Sequence, residues 1–146
     1  MSSEPADSQI ISFISADQIS SLLRILDFPN SRLTAPNGAP VIKYKLKRDD
    51  VWVFFYNESA ELPGHFESIR LTINLRRRVS VESTNTFNQK HRFIRVYSDN
   101  DGDLMVARDL AVSGGVTIEF LLRRLAEFHA GAEVVLDNFV GTLRGD

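Results

Sequence analysis

The chain has 146 residues, 43% of them hydrophobic and 25% charged, with a formal charge of -2 and a pI near 5.9. That is the composition of one ordinary globular domain, and its charge balance supplies no global field toward nucleic acid or an anionic membrane. It contains no cysteine, which excludes disulfides, thiolate catalysis and cysteine-ligated zinc and suits a reducing compartment, so the cytoplasm is the expected location.

Residues 1–9 have the composition of a flexible tail, and residues 10–146 are expected to form a single domain. The apolar run at 10–14 is too short for a signal peptide or a membrane span. A helix then starts with three agreeing signals. Ser15 is a fitting N-cap, Gln18 completes a capping box, and Ile14 with Ile19 makes a hydrophobic staple. Its buried stripe is expected to be Ile19, Leu22, Leu23 and Leu26. Pro29 ends it, and residues 30–40, with two prolines and an Asn-Gly, read as a loop.

Three strands follow, at 41–46, 51–56 and 66–75. The second, VWVFFY, is apolar at every position and is expected to be a central strand covered on both faces. The third sets Ile69, Leu71, Ile73 and Leu75 on one face against Arg70, Thr72, Asn74 and Arg76 on the other. The basic run Arg76-Arg77-Arg78 reads as a solvated turn rather than a phosphate contact, because the domain is net acidic and base-stacking aromatics are not evident beside it.

Residues 79–91 suit a short helix capped at Ser80 or Ser83, with Asn85 and Asn88 on one face. A hairpin comes next, with strands at 92–97 and 104–110 and a turn over 98–103. Asp99, Asp101 and Asp103 have the alternate spacing of a calcium loop, but Gly102 is misplaced for one and Leu110 stands where the bidentate glutamate belongs. Asn88 and Arg92 are expected to bond backbone where the helix meets the first of these strands. The last helix has Thr117 as N-cap and a Val116–Leu121 staple. Unbroken over residues 118–143 it would be about 39 Å long, and Gly131 is where it could bend or divide.

Chemistry is sparse. His65, His91 and His129 stand at no spacing that suggests a metal pair or an oriented base, and Gly114-Gly115 lacks the rest of any phosphate-binding fingerprint. No catalytic residue, metal or cofactor is expected.

The element order α-β-β-β-α-β-β-α, with Asn85-x-Phe87-Asn88, Arg92-Phe93-x-Arg95-x-Tyr97, Asp101-Gly102-Asp103-Leu104, Asp109-Leu110 and Gly115-Val116-Thr117, resembles the YbjN family of bacterial proteins, described as sensory transduction regulators. The resemblance covers about residues 15–140, and Phe87 stands where family members often carry Trp. It implies an α+β fold, an antiparallel sheet of about five strands with helices packed on it, like that of the homodimeric type III secretion chaperones. It implies a non-enzymatic protein-binding or regulatory module, with a small-ligand sensor or an enzyme using a sheet–helix pocket as the alternative. No functional residues come with it. Asn85, Phe87, Asn88, Arg92, Phe93, Arg95, Asp101, Gly102, Asp103 and Asp109 are expected to be structural.

The last helix is longer than a five-strand sheet is wide, about 19 to 20 Å. Its excess, together with the doubly apolar strand at 51–56, points to an interface on a surface left over from the core. Leu125, Phe128, Val135 and Phe139 are the candidates, in a homodimer that binds a protein partner and neither nucleic acid nor membrane.

Overall fold

The computed structural model describes residues 8–139 and the backbone of residues 142–143. The expected tail falls largely outside them, but within them Gln9 already offers its carbonyl to the Ile118 amide at 3.2 Å.

Among the described residues the first elements are two two-residue strands, β1 (Ile10–Ile11) and β2 (Ile14–Ser15), and the chain enters helix α1 (Ala16–Ile25) through the expected capping box. The Gln18 amide donates to Ser15 Oγ at 3.2 Å and the Ser15 amide donates to Gln18 Oε1 at 2.9 Å. Asp27, at φ 67, breaks the helix before Pro29 can obstruct it.

Strand β3 (Asn30–Thr34) corrects the sequence reading, which made this stretch a loop. Pro36, Asn37 and Gly38 form its turn, in which the Ala35 amide donates to the Ala39 carbonyl and Asn37 Oδ1 accepts from the Ala39 amide. The segment before the turn is then free to pair with β4 (Pro40–Leu46). It is an edge strand exposed at Ser31 through Thr34, so no alternation marks it.

Next come β5 (Asp49–Glu58), β6 (His65–Arg78), helix α2 (Val81–Lys90), β7 (Arg95–Ser98), β8 (Asp103–Ala111), β9 (Val116–Thr117), helix α3 (Ile118–Asn138) and β10 (Thr142–Leu143). The sheet runs β3-β4-β5-β6-β8-β7, antiparallel throughout, with β2 and β10 also pairing with β6. The fold is the expected α+β arrangement with a wider sheet. The arginine run is no separate turn but the end of β6, continued past an irregularity at Arg76, whose amide donates to Asn74 Oδ1 at 2.7 Å.

All three helices contribute to one core on one side of the sheet. Ile42, Val53, Leu71 and Val106 face it from neighbouring strands, and Leu22, Leu23, Leu121 and Phe128 meet them from α1 and α3, each with at most 1% of its surface exposed. Helix α3 spans 21 residues, about 32 Å, and does not divide at Gly131. That glycine serves a close approach instead: a Cβ there would stand 3.0 Å from Ile94 Cδ1, in the connection between α2 and β7. The six-strand path is about 24 Å wide at ordinary strand spacing. With the helix stopping at Asn138 and β10 returning to β6, little of the expected overhang is left.

The open face of the sheet as a candidate binding surface

Strand β5 decides what the other side of the sheet looks like. Its alternation is hidden in sequence because both faces are apolar, yet the two halves differ in kind. Val51, Val53 and Phe55 point into the core and are at most 6% exposed, while Trp52, Phe54 and Tyr56 point the other way. The expected cover on both faces is therefore corrected to one. Trp52 and Phe54 are half-buried by their neighbours on the sheet, and Tyr56 is 43% exposed.

Cross-strand register builds the rest of this face. Trp52 lies opposite Lys43 on β4 and Thr72 on β6, and Phe54 lies opposite Val41 and Arg70. Ala107 and Asp109 follow on β8, and Arg95 lies opposite Ala107 on the edge strand β7, with Tyr97 two positions on. Each ring except Phe54 carries a cation: Lys43 Nζ lies 5.2 Å from the centre of the Trp52 ring, Arg70 5.6 Å from Tyr56, and Arg95 5.7 Å from Tyr97. Such contacts stabilise by about 0.5 to 1 kcal/mol each at exposed sites, and they keep the rings partly shielded from water.

Two carboxylates complete the surface, each shared by two cations. Asp50 forms ion pairs with Lys45 at 2.8 Å and Lys43 at 3.7 Å, and the close Lys45 ammonium holds its carboxyl below the usual range. Asp109 accepts from Arg70 Nε at 2.6 Å and Nη2 at 3.3 Å, with Arg95 at 3.8 Å, and the bond to Asp109 raises the Arg70 pKa further. Among the described residues no group of three or more His, Asp or Glu side chains could hold a metal.

The residues singled out in sequence divide between two tasks. Asn88 clamps β7 to α2: its side-chain amide donates to the Val96 carbonyl at 2.8 Å, and its oxygen accepts from the Val96 amide at 2.9 Å. Phe87 is buried between the rings of His91, at 4.0 Å, and Phe139, at 5.3 Å. Asp101, Gly102 and Asp103 shape the hairpin turn, in which Asp99 Oδ1 accepts from the Asp101 and Asp103 amides and Gly102 takes φ 85. Asp103 is buried and accepts from Asn74. Asn85 is exposed, and so are Arg92 and Phe93, the latter at φ 70 just before β7. Arg95 and Asp109 belong to the open face.

Arg92 does not bond backbone among the described residues; its guanidinium lies 5.9 Å from the Phe93 ring. Asn88→Ala is therefore expected to cost about 1 to 3 kcal/mol, by leaving the Val96 groups unpaired, while Arg92→Ala leaves stability near wild type. Denaturant midpoints of the two variants check this, and an unchanged midpoint for Asn88→Ala would remove the clamp.

The interface candidates are corrected outright. Leu125, Phe128 and Val135 are 0% exposed within the single chain and Phe139 is 8% exposed, so all four belong to the core, Phe139 alone at its edge in the cleft beside α2. The surface residues that sequence reading missed are Trp52, Phe54, Tyr56 and Lys43, whereas Arg70 lies on the non-core face as expected. The available signal was the parity within VWVFFY, aliphatic at Val51 and Val53 but aromatic at Trp52, Phe54 and Tyr56, set against Lys43 and Arg70 at positions of matching parity on the neighbouring strands.

No helix among the described residues is long and apolar enough to cross a membrane. A family model described as "YbjN: Putative bacterial sensory transduction regulator" matches residues 15–137. No curated protein matches the chain.

Proposed function

From the chain's membership of the YbjN family, whose model spans most of it, we propose that it is a regulatory module that acts in the cytoplasm by holding another polypeptide on the open face of its sheet, without a catalytic step. The observation that carries this reading is the row of Trp52, Phe54 and Tyr56, backed by a full core yet uncovered by any element among the described residues. An aromatic surface of this kind on a rigid sheet suits recognition, because large rings contribute contact area at small entropic cost. The fold expected from the sequence resemblance, like that of type III secretion chaperones that hold partner polypeptides, is in keeping with this reading. A homodimer through this same face is the competing reading, since the four helix residues lie inside the core.

The test is retention from the native host's lysate on immobilised wild-type chain and on a Trp52→Ser/Tyr56→Ser variant with an unchanged circular dichroism spectrum. A protein held by the wild type and lost from the variant supports the reading. Equal retention by both, or a thermal shift with one member of a metabolite panel in its place, overturns it in favour of a ligand sensor. Light scattering that gives a single 16.5 kDa chain at micromolar concentration would remove the dimer.

A further inference from the structure

The charge of the open face narrows what it can hold, on the premise that the face is the binding surface proposed above. Four cations share two carboxylates there, two to each, which leaves a charge of about +2 on the face of a chain whose formal charge is -2. The surplus is not spread evenly. One part lies at Lys43, Lys45 and Asp50 toward the β3 side, and the other at Arg70, Arg95 and Asp109 toward the β7 side, with Trp52 and Phe54 between them. Asp50 and Asp109 are two strands apart across the sheet and about four residues apart along it, a separation of about 16 Å. An extended chain covers that distance in about five residues, and the nearest spacing that keeps both side chains on one face is four, about 13 Å, with the long cationic side chains reaching the rest.

We propose that the occupant is an extended acidic peptide segment, with two carboxylates four positions apart, on one side of its backbone, and apolar side chains between them. Each carboxylate takes the cation that its cluster leaves uncompensated, and the apolar residues lie on Phe54 and against the edge of Trp52, whose face Lys43 occupies. A second copy of the chain fits less well, because face-to-face packing would bring surfaces of like charge together. Single-stranded nucleic acid also fits less well, since it needs free aromatic faces along a continuous basic groove, whereas Lys43 and Arg70 stand over the Trp52 and Tyr56 rings.

The test is fluorescence anisotropy on the full chain at low salt. The probes are a labelled peptide of about twelve residues with two Glu four positions apart around Leu and Val, its Gln-for-Glu counterpart, and an oligothymidylate. The Glu peptide is expected to bind about tenfold more tightly than the Gln peptide, with the difference shrinking as salt is raised. Asp109→Asn and Asp50→Asn are expected to tighten binding of the Glu peptide severalfold, because each removes a competing carboxylate, while Arg95→Glu weakens it. A purely structural role for the two acids would give no such gain.

Equal binding of the two peptides, or unchanged or weaker binding by both Asn variants, overturns the proposal, as does tighter binding of the oligothymidylate. A doubled mass that depends on Trp52 would assign the face to a second copy and overturn it as well. If lysate retention depends on Trp52 while the peptides do not discriminate, the binding surface stands and only the acidic occupant falls.

Discussion

Val135→Asp is expected to abolish cooperative folding. Val135 lies on α3 with no exposed surface, in the same core as Leu125, Phe128 and the inward side chains of the sheet. A carboxylate there either stays charged without a partner or takes up a proton at a large cost in pKa, and either way the penalty is several kcal/mol. That is a large share of the about 5 to 15 kcal/mol by which whole domains are stable. By comparison Phe128→Ala, which leaves a cavity but no charge, is expected to cost about 3 to 5 kcal/mol and to keep a cooperative transition. Thermal denaturation followed by near-ultraviolet circular dichroism distinguishes them. A Val135→Asp protein that melts within a few degrees of wild type would put this side of α3 back on the surface and restore it as an interface.

Stability is also expected to fall by about 2 to 3 kcal/mol between pH 6.5 and pH 4 on account of one histidine. His129 is 8% exposed, its Nε2 lies 2.7 Å from the Tyr44 hydroxyl, and the Phe28 ring centre lies 4.2 Å from its own. Burial pushes its pKa down from 6.5 to about 4, and burial likewise pushes the Tyr44 phenol up, so both groups are neutral near pH 7. As pH falls through 6.5 the unfolded chain takes up a proton on this imidazole, whereas the folded chain does so only near 4. The unfolded state therefore binds more protons within that window, and stability declines as pH is lowered through it; above the window the contribution is constant. Urea midpoints at about pH 7 and about pH 4.5, compared between wild type and His129→Gln, isolate this contribution from that of the carboxylates. Parallel declines in the two proteins would mean that His129 titrates normally.

Much of the fold was legible because its signals are local. The capping box at Ser15 and Gln18, the caps at Ser80 and Thr117 and the turn around Gly102 each act within three or four residues, and each forms as the spacing implied. The alternation of Ile69, Leu71, Ile73 and Leu75 likewise placed all four on the core face. Strand β3 escaped notice because an exposed edge strand has no buried face to impose a pattern, and its partner β4 lies beyond a turn. The sequence carries α3 too far because residues 139–143 remain mostly apolar, whereas the helix stops at Asn138 and Thr142 and Leu143 pair with β6. Gly131 invited a bend, since its reason for being glycine, the approach of Ile94, comes from a different part of the chain.

The candidate surface shows the same division most clearly. Sequence by itself determined that Trp52, Phe54 and Tyr56 share one side of a strand and Val51, Val53 and Phe55 the other, because side chains alternate along any extended backbone. It could not determine which side faces the core when both are apolar. That was decided by where α1 and α3 pack, and by the antiparallel register that brings Lys43, Arg70, Arg95 and Asp109 onto the side those helices leave open. Burial and charge pairing between residues tens of positions apart exist only once the strands are aligned, so the composition of the open face is a property of the tertiary structure alone.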